Sequence, residues 1–144
     1  MLKTYFISKD KRFSLLYGDS MAVLPLINTE FDMVFADPPY FLSNDGHSIH
    51  NGQIVSVNKG KWDKLTDFDS VYAFNKQWIA LVRKKIKVNA ALWISGTIHN
   101  IFSIGQALTE LDFRILNIIF WKKSNPPPKV QNQDVRKHYI EGWL

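Results

Sequence analysis

Cysteine occurs nowhere in the 144 residues. Its absence removes a disulfide framework, a thiolate zinc site and a cysteine nucleophile together. No window approaches the roughly 18 apolar residues of a membrane span, and the opening Met1-Leu2-Lys3-Thr4-Tyr5-Phe6 holds no apolar run of signal-peptide length. The chain therefore reads as a soluble, cytoplasmic protein. Glycine is sparse: the seven positions, 18, 46, 52, 60, 96, 105 and 142, include no two separated by a single residue, so there is no glycine-x-glycine turn to cradle a nucleotide. Acidic residues are outnumbered, thirteen against eighteen Lys and Arg, and the net charge of +5 favours an anionic partner without naming one. What is present suffices for a core: 46% of residues are hydrophobic and 22% charged, at a length that allows one domain.

Along the chain, Arg12-Phe13-Ser14-Leu15-Leu16-Tyr17 reads as a strand stopped by Gly18, and Asp19-Ser20 caps a helix through Met21-Ala22-Val23-Leu24 that Pro25 keeps short. Phe31-Asp32-Met33-Val34-Phe35-Ala36 is a second strand, ended by the two prolines of Asp37-Pro38-Pro39-Tyr40. Residues 41–67 are polar and glycine-dotted, with one alternating piece, Gln53-Ile54-Val55-Ser56-Val57; loops this long in a compact domain are usually functional or mobile. Within them His47 and His50 lack a third ligand at a metal-binding interval and read as a solvated pair.

Apolar residues at Val71, Phe74, Trp78, Leu81, Val82 and Ile86 have the spacing of one helix face, with Trp78 in the core. The basic residues Arg83, Lys84, Lys85 and Lys87 close that helix as its dipole prefers. Ala90 to Ser95 is a buried strand ending at Gly96, His99 to Leu111 is helical, and Phe113 to Trp121 is strand-like. The alternation predicts an α/β fold, a mainly parallel sheet of about four strands with flanking helices. Asn125-Pro126-Pro127-Pro128 looks like the end of a compact unit, which divides the chain into residues 1–128 and a tail, 129–144.

The chemistry concentrates at Asp37-Pro38-Pro39-Tyr40, placed at the carboxyl end of a predicted parallel strand, where open α/β sheets bind ligands. Two prolines stiffen the loop and withhold N–H donors, so carbonyl oxygens are left to accept from a ligand amine. Asp37 adds a carboxylate acceptor and Tyr40 a flat face. The set suits a planar ring bearing an exocyclic NH2, whose hydrogens can be held by Asp37 and the Pro38 carbonyl so that the nitrogen lone pair points at an electrophile.

Asp-Pro-Pro-Tyr after an apolar strand resembles the catalytic motif of amino-methyltransferases that act on DNA bases, and Asp in first position is typical of adenine-N6 members. Phe41-Leu42-Ser43, Gly60-Lys61-Trp62-Asp63, Phe74-Asn75-Lys76-Gln77-Trp78-Ile79, Trp93-Ile94-Ser95-Gly96 and Trp121 to Pro128 are similar to the permuted, beta-group subset, so the resemblance covers about residues 13–128. It implies a partial Rossmann-like methyltransferase fold whose catalytic half comes first. The implied reaction transfers a methyl group from S-adenosylmethionine to N6 of an adenine flipped out of DNA. Asp37, Pro38, Pro39 and Tyr40 are then catalytic, with Tyr40 stacking on the base. Asp37 also faces the cofactor, whose adenine end falls to Asp19 in Gly18-Asp19-Ser20. Trp62 lies near the target base, and Lys122 and Lys123 meet DNA phosphates. The missing cysteine agrees with direct transfer and excludes the thiolate route to C5-cytosine.

The family's Phe-x-Gly-x-Gly cofactor turn is not in these residues, and the resemblance fades after Pro128. A truncated enzyme fits this, as does half of a split enzyme completed by a second chain that carries the cofactor-binding and target-recognition half. Either way a half sheet should expose an unpaired edge and apolar faces. Two other functions compete. One is a non-catalytic nucleic-acid-binding fragment relying on positive charge and stacking aromatics. The other is an N4-cytosine methyltransferase, which Asp37 in place of Ser or Asn disfavours.

Overall fold

The computed structural model describes residues 4–41, 47–50, 53–56, 67–98, 100–122 and 141–143. Two antiparallel strands open it, β1 (Thr4–Ile7) and β2 (Ser14–Leu16). β1 was not expected. The loop joining the strands is held by Ser8, whose N–H donates to the Phe13 carbonyl at 2.9 Å and whose hydroxyl accepts from the Phe13 N–H at 2.9 Å. Helix α1 (Ser20–Val23) follows and passes into a 3-10 turn (Leu24–Leu26), where Pro25 needs no N–H partner.

The centre of the molecule is a strand-helix-strand unit. β3 (Phe31–Ala36) runs parallel to β6 (Ile86–Thr97), and the chain crosses between them through α2 (Phe68–Arg83). α2 begins where Asp67 caps it, its carboxylate accepting from the Ser70 N–H at 2.8 Å. β6 is longer than the run from Ala90 to Ser95, because it pairs with β3 from Ile86 onward. Between the Phe31–Ile86 and Met33–Ala91 pairs it bulges, and Asn89 there has a φ of 65°. Such left-handed backbone suits Asn better than a branched residue.

Helix α3 (Ile101–Glu110) packs against α2, then β7 (Ile119–Trp121) and β8 (Glu141–Trp143) complete a sheet ordered β3-β6-β8-β7. The expectation of a mainly parallel sheet holds for β3 with β6. β8 is antiparallel to both its neighbours, so β6 and β7 point the same way with β8 wedged between them. The stretch from Phe113 to Trp121 is strand only in its last three residues, where β8 offers a hydrogen-bonding partner. The expected boundary at residue 128 lies outside the described residues. β4 (His47–His50) and β5 (Gln53–Ser56) form a separate antiparallel pair that contains the two histidines.

Trp78, Ile79 and Val82 of α2, Ile94 of β6, and Ile104, Ala107 and Leu108 of α3 form the core. Each fully buried aliphatic side chain contributes about 1.5–3 kcal/mol relative to leaving it in water. Trp93, by contrast, is half-buried. On the surface Glu110 joins the two helices, accepting from Tyr72, from Lys76 at 2.7 Å and from Gln106 at 3.1 Å. Lys76 first, then Tyr72 and Gln106, lower the Glu110 carboxyl to a pKa of about 2. The basic end of α2 serves the fold: Lys85 donates to the Ile27 carbonyl at 2.6 Å, and Lys87 pairs with Asp32 at 2.7 Å.

Apolar side chains remain outside this core. Met33 and Phe35 of the edge strand β3 are 59% and 56% exposed, and Ile118, Phe120 and Trp121 around β7 are 52%, 63% and 55% exposed. Among the described residues, no helix is long and apolar enough to cross a membrane.

Candidate active site

Asp37-Pro38-Pro39-Tyr40 leaves the carboxyl end of β3, and the register that pairs Ala36 with Ile94 sets Asp37 beside Ser95 of β6. Asp37 is exposed, while Pro38, Pro39 and Tyr40 are half-buried. The Tyr40 hydroxyl donates to Asp37 Oδ1 at 2.6 Å and approaches Ser95 Oγ at 3.0 Å. Ser95 Oγ also donates to Asp37 Oδ1. Two hydroxyls therefore converge on one carboxylate oxygen and hold the side chain at the rim of the sheet, with the Tyr40 ring fixed next to it.

A second clamp acts on the prolines. Asn100 Nδ2 donates to the Pro39 carbonyl at 3.2 Å, and Asn100 Oδ1 accepts from the Thr97 N–H at 2.9 Å. Among the described residues, none donates to the Pro38 carbonyl.

The chain then reverses at Phe41, whose φ of 55° is left-handed and whose side chain is only 5% exposed. Its ring meets Phe74 of α2 edge to face, with centroids 5.4 Å apart. The left-handed backbone of a bulky residue costs about 1–2 kcal/mol. Burying a phenylalanine contributes about 1.5–3 kcal/mol, enough to offset it. Phe41 therefore anchors the carboxyl side of the turn. Gly96 permits the other approach, since a Cβ there would lie 2.9 Å from Ile101 Cδ1 and 3.0 Å from Asn100 Oδ1.

Of the remaining expected site residues, Asp19 sits at the start of α1, where its Oδ1 accepts from the Met21 N–H at 2.9 Å as a helix cap. Lys122 is exposed and follows β7. Because β7 runs in the direction of β6, Lys122 emerges at the same sheet edge as Asp37, three strand spacings or about 14 Å across. The basic residues Arg83 to Lys87 stand at the opposite edge, where the Phe31 N–H donates to the Lys85 carbonyl at 2.7 Å. Trp62 and Lys123 lie outside the described residues. The sequence alone assigns no role to Ser95 or Asn100. The signal for Ser95 was the strand register, which a parallel pairing of the two apolar runs would have supplied. Asn100 had none, because its partner is a main-chain carbonyl 61 positions away.

Residues 31–140 match the profile of a family described as DNA methylase, of N6/N4 type. The chain is 52% identical over 128 residues to the Type II methyltransferase M2.MboI of Moraxella bovis, an alignment covering 88% of this chain and 47% of that protein. It is 48% identical over 131 residues to the Type II methyltransferase M2.LlaDCHI of Lactococcus lactis subsp. cremoris, covering 90% of this chain and 48% of the relative. Against the Type II methyltransferase M2.DpnII of Streptococcus pneumoniae the identity is 47% over 131 residues, with the same coverage of 90% and 48%. The chain therefore spans about half the length of the curated relatives it matches. With the profile covering the strand-turn-helix-strand unit that builds the rim site, the chain belongs to the DNA methylase family.

Proposed function

We propose that this chain carries the adenine-gripping half of a site-specific DNA methyltransferase that modifies N6 of adenine, in the manner of a Type II modification enzyme. The carrying observation is the Asp37-Pro38-Pro39-Tyr40 turn at the carboxyl edge of a parallel strand, with its carboxylate held by Tyr40 and Ser95. The β3-α2-β6 unit is read as part of a Rossmann-like sheet, for which the parallel register and the rim position of the turn speak.

An adenine extruded from the duplex stacks on Tyr40, and its amine donates to Asp37 and to the Pro38 carbonyl. Stacking of this kind is worth about 1–3 kcal/mol, comparable with the cost of unpairing the base. Two fixed acceptors turn the amine so that its lone pair faces away from the turn, and no covalent bond to the protein is needed. S-adenosylmethionine, when bound, supplies the electrophilic methyl group. The residues fit its adenine end in part: Asp19, an exposed carboxylate at a helix start, would hold that end while retaining its cap. The glycine turn for the methionine end is not among these residues. That end, and target recognition, fall to the region that the relatives carry beyond the matched half, joined in one polypeptide or supplied by a second chain. Lys122 contacts DNA phosphate, and Trp62 and Lys123 are placed beside the DNA by resemblance.

The test is transfer of labelled methyl groups to duplex DNA by the chain complemented with the remaining half of a relative. Label is expected on N6 of adenine and absent from adenine-free DNA. Label in the adenine-free duplex would overturn the adenine assignment.

A further inference from the structure

We propose that Asn100 is a positioning residue: by holding the Pro39 carbonyl it aims the neighbouring Pro38 carbonyl at the substrate amine. This rests on reading the diproline turn as an amine-binding site. Asn100 is 0% exposed and occupies the cap position of α3, yet its side chain makes no cap bond to that helix. Asn is favoured at such positions because it can accept from the first helical N–H groups. Here both ends of the amide are committed elsewhere, Oδ1 to the Thr97 N–H at 2.9 Å and Nδ2 to the Pro39 carbonyl at 3.2 Å.

Behind Asn100 runs a buried relay into the core. Ser103 Oγ donates to the Asn100 carbonyl at 2.8 Å, Asn75 Nδ2 donates to Ser103 Oγ at 2.8 Å, and Trp78 Nε1 donates to Asn75 Oδ1 at 3.0 Å. Asn75, Asn100 and Ser103 are at most 1% exposed. A satisfied buried network of this kind admits one arrangement, so the position of Asn100 is dictated by the packing of α2 on α3. Its effect reaches the turn through elementary geometry. The Pro39 ring fixes φ, so a single torsion, ψ, relates the Pro38 and Pro39 carbonyls, and the Asn100 bond holds that torsion.

Asn100→Asp retains the acceptor for the Thr97 N–H and loses the donor to Pro39. The measurement is the affinity of the full chain for two single-stranded oligonucleotides that differ at one position, adenine or purine, the latter lacking the exocyclic amine. The wild-type chain should prefer adenine by about tenfold, the effect of one well-placed hydrogen bond. In folded N100D that preference should shrink, because the Pro38 carbonyl is no longer aimed while the Asp37 acceptor remains. A preference that survives unchanged in folded N100D, even if both affinities fall together, would overturn the inference and leave Asn100 a structural residue. Equal wild-type affinities would instead overturn the amine-gripping reading and the inference with it. Should the buried carboxylate keep N100D from folding, Asn100→Ala carries the same comparison, with the same two outcomes.

Discussion

Replacing Asp37 by Ala should lower methyl transfer to adenine-containing DNA, measured with the chain complemented by the remaining half of a relative, by about 10³-fold, the upper range for removing one preorganised group that acts on developing charge. Asp37 is exposed, and two of its partners are hydroxyls at the rim, so its removal should cost the fold little. Unfolding of D37A in urea should stay within about 1 kcal/mol of the wild-type chain, as exposed positions usually do. DNA affinity should fall by no more than about tenfold, because the substituted group grips one amine and no phosphate. Asp37→Asn separates charge from shape, since the amide retains an oxygen for Tyr40 and Ser95 but presents an NH2 where an acceptor is needed. It should be as inactive as D37A. Activity above a tenth of wild type in either variant would remove Asp37 from the reaction.

Tyr40 carries two separable tasks, and a pair of substitutions resolves them. Tyr40→Phe keeps the ring but removes the hydroxyl that donates to Asp37 at 2.6 Å and meets Ser95 at 3.0 Å. Of the two hydroxyls, only that of Ser95 then holds the carboxylate, and methyl transfer should fall about tenfold. Tyr40→Ala removes the stacking face as well, a further loss of about 1–3 kcal/mol in base binding, or roughly 5- to 150-fold. The added loss should appear in affinity for DNA whose target base is already unpaired, where extrusion costs nothing. Methylation kinetics and binding of such a duplex check both. Equal activity of Y40F and Y40A would show that the ring does not stack on the base.

The elements that were legible from sequence are those whose signal is local. The stripe through Val71, Trp78 and Val82, with Asp67 in front, becomes α2 with those three residues buried. The apolar run 31–36 becomes β3, and the two prolines end it where expected. Asp19 caps its helix and Pro25 limits it, both effects of single residues on their neighbours. What was not legible depends on pairing between distant segments. β8 has only three residues and exists because the facing edges of β6 and β7 accept it. The run from Phe113 to Ile118 has strand-like composition, but lacks a partner strand among the described residues and stays irregular.

The site divides in the same way. Its motif residues are contiguous, so chemistry could be assigned to them from their types and order. Their supports, Ser95 and Asn100, come from β6 and the start of α3, and only the fold shows that one steadies the carboxylate and the other the proline carbonyl. The basic segment Arg83 to Lys87 illustrates the reverse: its charge fits a helix end, and only the fold shows Lys85 and Lys87 fastening the far end of the sheet.

A crystal structure of the chain with a bound adenine nucleotide tests the amine grip most directly. The expected result is the base lying on the Tyr40 ring with N6 about 3 Å from both an Asp37 carboxylate oxygen and the Pro38 carbonyl. A nucleotide bound with its amine turned to solvent, or seated away from the β3 rim, would contradict it.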